Sequence, residues 1–428
     1  MRRIVGAVAV VVGAAMGCRS NGRAGASAGA GAGASASASA GASASASASA
    51  GASASASAGA SAGAGAGASA SAGAEAGVAA NAMMARAHVA GVGYAAVTRQ
   101  GEVVVDGAGL ADVAQGSGVN ADTVFEAASI AKLIVATCVL QLVEEGKIDL
   151  DAEASKYLGF RVHHPRSATP ITVRMLLAHR ASIRDRQDEI GAARDGQPLL
   201  AFLGRMMLEN GKPRGAAFLE TAPDTATVYS NVGASLAALA VQRVAGASFE
   251  EVSARRVFEP LRMRSTHWIA PDVHLASTGG YGRPYAYADA GFAPLPPPSH
   301  ALYPAVDLHA SAHDLARFAR AMLRGGELDG ARVLTGATVD TMMTAVTGDP
   351  QQALAWQLRS IGGAHVAGHE GEDAGATTAL FLDRAANTGA VVIANGDAFG
   401  SDDPARAAAV QTFLGELLAI AALATSAR

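Results

Sequence analysis

Lysine is nearly missing from this chain: of its 33 basic residues only Lys132, Lys147, Lys156 and Lys212 are lysine, and the rest are arginine. A lysine inside an apolar segment is therefore a marked choice. Cysteine is confined to Cys18 and Cys138, which excludes a disulfide framework and a thiolate metal centre. The adjacent pair His163-His164 lacks the helical spacing that metal ligands share, so no metal is expected, and no cofactor. Charged residues make up 16% of the chain and the net charge is -4. That leaves no basic excess for nucleic acid. The apolar run at the N-terminus, Ile4 to Ala15, falls short of the roughly 20 residues that span a bilayer.

That run instead suits the core of a secretory signal, with Arg2 and Arg3 ahead of it. The stretch Ala15-Met16-Gly17-Cys18 resembles the lipobox of bacterial lipoproteins, lacking only the usual leucine three before the cysteine. It makes Cys18 the candidate for lipidation and places the protein, exported, on the cell envelope. From Ala24 to about Gly77 the chain is almost wholly Ala, Ser and Gly. Such a stretch cannot build a core and reads as a tether with a reach of roughly 40 Å. Two matches to the GxSxG pattern, Gly25 to Gly29 and Gly59 to Gly63, follow no apolar strand and open no helix, so they are accidents of composition. The expected organisation is a signal over residues 1–18, a tether over 19–77 and one catalytic-size domain over 84–425.

Within that domain, structure is expected from near His88. His88 to Thr98 and Glu102 to Asp106 read as a hairpin across Gln100-Gly101. A buried helix runs from Ile130 to Val143, apolar on all faces. Ile171 to His179, Leu199 to Asn210, Val232 to Ala245 and Phe249 to Leu261 read as helices, and Gly279 to Pro304 as a long Pro- and Tyr-rich loop. Ser311 and Asp314 form a capping box for the next helix. Leu354 to Arg359, Ala364 to Gly371, Thr377 to Leu382 and Gly389 to Asn395 read as an antiparallel meander, and Ala405 to Leu423 as a helix covering it. Strands at both ends with helices between predict an α+β fold, one antiparallel sheet closed by the two termini.

The first turn of the buried helix carries Ser129 and Lys132, three apart and so on one face. Ser129 is either a helix cap with Lys132 reaching out to water, or a nucleophile beside an amine that burial has made a base. Two further patterns follow in order: Tyr229-x-Asn231 about a hundred residues on, and His369-x-Gly371 about 140 further. Each of the three patterns occurs once, although the chain has seven tyrosines and eleven histidines. Taken singly, Tyr229 is a loop anchor, Asn231 a helix cap and His369 a strand residue; as an ordered set they describe acyl transfer.

At this point the chain resembles the serine β-lactamase and penicillin-binding-protein superfamily, above all its class C β-lactamase-like esterases and peptidases. The resemblance runs over roughly Val89 to Leu418, carried by FEAASIAKLIVATCVLQLVEEGKIDLDAEASKYL, ITVRMLLAHRAS and SAHDLARFARAMLRGG. It implies an α/β sandwich beside an all-helical subdomain, with the site between them. It also implies roles: Ser129 as nucleophile, Lys132 and Tyr229 as the coupled proton-transfer pair, Asn231, His369 and Gly371 as substrate-binding residues, and the backbone N–H groups of Ser129 and Glu372 as oxyanion donors. Which of Lys132 and Tyr229 is the base stays open.

Three departures stand out. His369-Glu370-Gly371 replaces the Lys-Thr-Gly strand usual in β-lactamases, and a neutral histidine attracts carboxylates less than a lysine does. Glu370, Glu372 and Asp373 add negative charge at that strand. Asp307 stands where the family commonly has glycine, and Arg180-Ala181-Ser182 lacks the usual glycine. The expected activity is an exported serine hydrolase acting on a small ester, amide or peptide through an acyl-Ser129 intermediate, with weak β-lactamase activity at most. A D-Ala carboxypeptidase, a true β-lactamase and a non-catalytic envelope-binding module remain the alternatives, and the oligomeric state is open.

Overall fold

Apolar alternation and turn residues assemble one antiparallel sheet from the two ends of the domain. The computed structural model describes residues 65–191, 198–268 and 280–426. Cys18 with its lipobox-like stretch, the tether up to residue 64 and both GxSxG matches lie outside the described residues. The strands used below are β1 (Gly91–Thr98), β2 (Glu102–Asp112), β3 (Val124–Ala128), β4 (Leu308–Ser311), β5 (Gln357–Ile361), β6 (Ala364–Asp373), β7 (Ala376–Asp383) and β8 (Thr388–Ala394). The sheet runs β5-β6-β7-β8-β1-β2, with Ser117–Gly118 at the β2 edge. At its seam β8 pairs antiparallel with β1, Val92 opposite Ala394 and Thr98 opposite Thr388, so the termini close the sheet as the pattern predicts. β3 and β4 pair apart from it.

Every residue of β1 and β8 is buried, because helices cover both faces of the sheet. Tyr94 and Ala96 point to one face and join Ala76, Ala80 and Met83 of α1 (Gly65–Ala87) and Phe413, Leu414 and Leu417 of the C-terminal helix Pro404–Ser426. Ala95 and Val97 point to the other and join the large core around α2 (Ala131–Glu144). That core also holds α3 (Val173–Leu177), α4 (Leu199–Met207), α5 (Asn231–Ala245), α6 (Phe249–Ser253) and α7 (Ala312–Leu323). The C-terminal helix is α8; it is long and apolar enough to cross a membrane, yet one of its faces is spent on the sheet.

Helix α1 corrects the expectation that residues up to 77 are tether and that structure begins near His88. Alanine is the strongest helix former, and Ala76, Ala80, Met83 and Ala87 recur at helical spacing and are buried against the sheet. Tertiary packing turns a composition that lacks core residues into a covering helix. The Gly279–Pro304 region also holds more order than a loop, forming a hairpin of Tyr285–Ala288 and Gly291–Pro294. The capping box at α7 is half formed. Ser311 Oγ accepts from Asp314 N at 3.1 Å, but the Asp314 carboxylate takes Ser265 N and Thr266 Oγ1 instead. The segment after α6 continues as a short π-helical stretch, Ala254–Phe258, where one continuous helix is predicted.

Candidate active site

The site begins with a backbone irregularity. β3 ends at Ala128, a non-glycine residue with φ of 45°, a conformation that costs of order 1 kcal/mol and tends to persist where the surroundings enforce it. The kink turns the chain from strand into α2. Ile130, not Ser129, occupies the N-cap position, and no side chain caps the helix there. Ser129 is therefore free of the capping role, and its Oγ accepts from two side chains. Lys132 Nζ lies 2.9 Å away and Tyr229 Oη 2.6 Å away.

Lys132 does not reach water. It is 1% exposed, and Nζ also donates to the carbonyl of Ala305 at 2.7 Å. Burial pulls its pKa down to about 7, against the opposing pull of Asp185 and Asp373. Tyr229 arrives on the loop before α5. Its ring is 43% exposed, but its hydroxyl points inward. Desolvation of that hydroxyl pushes the phenol above its ordinary value, with Asp185 and Glu372 adding to the rise and the Ser129 bond opposing it. The ring lies 4.8 Å under the lysine ammonium position.

His369 on β6 is buried, its ring centroid 6.0 Å from that of Tyr229. Nδ1 donates to the carbonyl of Glu370, and burial together with the nearby Lys132 lowers its pKa to about 3. The imidazole is thus neutral near pH 7, as its replacement of a lysine predicts. Two residues on, Gly371 lies against the nucleophile segment: a Cβ there would sit 2.6 Å from Ala127 O and 3.2 Å from Ser129 N. Only glycine lets β6 approach the Ser129 backbone this closely. The next residue, Glu372, has a partly buried carboxyl whose pKa is raised by burial and by Asp397, Asp373 and Glu370.

The fold thus brings Ser129, Lys132, Tyr229, His369 and Gly371 to one place. Asn231 stands at the start of α5, where its N–H donates to Asp185 Oδ2 at 2.7 Å. Its Oδ1 is buried and accepts nothing among the described residues, so the Lys132 amine is oriented by Ser129 and Ala305 rather than by this amide oxygen. The chain matches the model of the family described as Beta-lactamase over residues 78–413. It belongs to the β-lactamase family.

Among members of that family, the chain is 28% identical over 335 residues to penicillin-binding protein 4 of Amycolatopsis lactamdurans, a match covering 74% of this chain and 83% of that one. It is 32% identical over 189 residues to esterase EstB of Burkholderia gladioli, covering 42% of this chain and 47% of the esterase. The solved structure of D-amino acid amidase from Ochrobactrum anthropi SV3 complexed with L-phenylalanine amide superposes with a TM-score of 0.64 at 21% identity, covering 84% of this chain and 100% of the amidase. The fold is the β-lactamase/transpeptidase fold, and the protein is a serine hydrolase of that family.

Four residues of this β-lactamase-family site escape sequence reasoning. Asp185 clamps the Tyr229 loop: its carboxylate accepts from Ser230 Oγ at 2.7 Å, Asn231 N at 2.7 Å and Val232 N at 3.1 Å. His179, with φ of 57°, accepts from Ser230 N through Nδ1 at 3.2 Å and packs its ring 4.5 Å from Tyr229. The carbonyl of Ala305 holds Lys132. Arg180, buried, donates to Asp224 Oδ1 at 2.6 Å and braces the loop that delivers Tyr229. Only the stretch Arg180-Ala181-Ser182 left a signal, by lacking the family's usual glycine; a backbone carbonyl leaves none. Ser182, at the glycine position, takes φ of 57°, and its Oγ donates to Thr221 O at 2.5 Å.

Proposed function

We propose that the protein hydrolyses small esters, amides or peptides through an acyl-Ser129 intermediate, with weak β-lactamase activity at most. The observation that carries this reading is the convergence of Lys132 Nζ and Tyr229 Oη on one serine oxygen. With its pKa near 7, the Lys132 amine is in large part neutral at neutral pH and takes the Ser129 proton as Oγ attacks the substrate carbonyl. The phenol, pushed upward, keeps its proton and hands it to the leaving alcohol or amine. The tetrahedral oxyanion is received by the backbone N–H groups of Ser129 and Glu372. The acyl group on Ser129 is then released by water, with Lys132 and Tyr229 again moving the protons. Asn231 and His369 stand on the substrate side, the Asn231 amide NH₂ serving as donor to a substrate carbonyl.

The neutral His369 and the carboxyl of Asp373 on the same face of β6 favour substrates without a carboxylate next to the scissile bond, Glu370 being paired with Arg359 at 2.7 Å, and β-lactams are poor substrates in this reading. Export rests on the apolar run Ile4 to Ala15, and attachment to the cell envelope on lipidation of Cys18, with the Ala/Ser/Gly stretch as spacer. Mass spectrometry after treatment with a fluorophosphonate, p-nitrophenyl butyrate, D-phenylalanine amide or penicillin tests the reading. One adduct on Ser129 is expected from the fluorophosphonate, with ester or amide turnover well above nitrocefin turnover. Absence of any Ser129 adduct, or nitrocefin as the best substrate, would overturn it.

Gly371→Ala follows from the same geometry. A methyl group 2.6 Å from a backbone oxygen must push β6 away from Ser129, moving the Glu372 N–H off the oxyanion. A fall of about 10²–10³ in kcat is expected, the cost of one oxyanion donor. Steady-state ester kinetics beside the thermal midpoint check that the loss is catalytic.

A further inference from the structure

Glu126 lies three residues before Ser129, on β3, and is 3% exposed. Neither Oε1 nor Oε2 accepts from any N–H or hydroxyl among the described residues. Its main chain is fixed, the carbonyl accepting from Thr378 Oγ1 on β7 at 3.2 Å. The groups that face the side chain come from every element packed around it. On β6, Gly371 lies against Ala127, which brings Asp373, two residues on, to the side of Glu126; Asp373, Asp307 and Asp397 surround its carboxyl with negative charge, the latter two from the segments before β4 and after β8. Across the β3–β4 ladder stands His309, opposite Glu126. Its Nε2 is buried with no partner among the described residues, as is the hydroxyl of Tyr281, whose ring lies 5.9 Å from that of His309.

A carboxylate ringed by negative charge and offered no donor is costly, whereas a carboxylic acid with one O–H to give fits. Asp373 is equipped to receive that proton. Its Oδ1 accepts from Ala374 N at 2.7 Å, and its Oδ2 lies 3.4 Å from His300 Nε2. His300 is in turn held by Asp307, which accepts both from its Nδ1 and from its backbone N–H. Asp373 thus has donors of its own, whereas Glu126 has none among the described residues.

The placement of the pair gives it a purpose. Asp373 follows Gly371 by two residues on the same face of β6, and Glu126 precedes Ser129 on β3. We propose that Glu126 is a positioning residue: as a neutral acid it donates one hydrogen bond to Asp373, and this bond sets the distance between the two backbone segments that carry the oxyanion N–H groups. The inference rests on the acyl-Ser129 reading. Burial, then Asp373, holds the Glu126 carboxyl well above the ordinary carboxylate range. Above that raised value the proton is lost, two carboxylates face each other, and β6 is driven from Ser129. Activity then falls on the alkaline side.

The test compares Glu126→Gln with Glu126→Ala. Glutamine donates an N–H to Asp373 and cannot ionise. The glutamine variant is expected to keep kcat for ester hydrolysis within about threefold of the parent at neutral pH, with the alkaline limb of kcat moved up by a pH unit or more. The alanine variant is expected to lose kcat tenfold or more with KM little changed. Thermal unfolding supplies an independent readout. A carboxyl whose folded pKa is raised holds its proton above the unfolded value, so its stabilisation is lost as pH rises through the folded value. The thermal midpoint of the glutamine variant should lack that loss. Superimposable pH profiles of the parent and the glutamine variant overturn the inference. So does a glutamine variant that fails to fold, because the amide makes the same bond. A parent that labels on Ser129 while these results fail sinks only the positioning role; a parent that never labels sinks the acyl-enzyme reading and this inference with it.

Discussion

Ser129→Ala is expected to abolish fluorophosphonate labelling and to lower ester turnover by about 10⁴-fold or more, the scale seen when a nucleophile is removed from a serine hydrolase. Other serines near the cleft are committed elsewhere. Ser230 Oγ donates to Asp185 and accepts from Gly233 N, and Ser182 Oγ is bound to Thr221 O. Among the described residues neither hydrogen-bonds to a lysine amine as Ser129 does. Folding should be spared, because Ser129 caps nothing and Ile130 already occupies the N-cap of α2. A thermal midpoint close to that of the parent, together with lost labelling, is the expected pair of results. Full turnover in the alanine variant would remove Ser129 from the mechanism.

Lys132→Met should cost about 10³-fold or more in kcat/KM, removing the proton acceptor while filling nearly the same volume. In the parent, kcat/KM is expected to climb about tenfold per pH unit below pH 7 and level off above it, because the active form is the free amine with its pKa near 7. A profile that keeps climbing through pH 8 with no levelling near 7 would exclude the lysine as base and point to Tyr229, whose phenol titrates above its ordinary value. Stability supplies the opposite-signed check. The folded amine titrates near 7 and the unfolded one at 10.5, so between those values the unfolded chain binds the extra proton. Folding stability of the parent therefore rises as pH goes from about 7 toward 10, with a slope of at most about 1.4 kcal/mol per pH unit. Lys132→Met lacks this slope, and denaturant titrations at pH 7 and pH 9 should show the variant's advantage shrinking.

Both experiments turn on a pair of residues that the sequence places together by itself. A three-residue spacing at the entry of a helix that is apolar all round sets Ser129 and Lys132 near each other, although Ser129 lies just ahead of the helix and it is burial that turns Lys132 inward. The meander from β5 to β8 was equally legible, since a period of two with turn residues between is a local property. The helix at Gly65–Ala87 was not legible. Its alanines carry helical propensity, but its glycines oppose it and the stretch has no strong apolar face, so the sheet beneath it supplies the reason to fold.

What the sequence determined, then, is which side chains the proposed acyl transfer rests on and which elements carry them. Ser129, Lys132, Tyr229 and His369 belong to short patterns whose spacing and order suffice. Only the tertiary structure decided their protonation and their supports. Lys132 is brought near neutrality by complete burial, and its amine is held by Ala305, 173 positions away in the chain. Asp185 fixes the Tyr229 loop, and Glu126 is buried among Asp373, Asp307 and Asp397. These pairings join residues remote in sequence, and each depends on how much solvent the surrounding core excludes, a quantity no local pattern records.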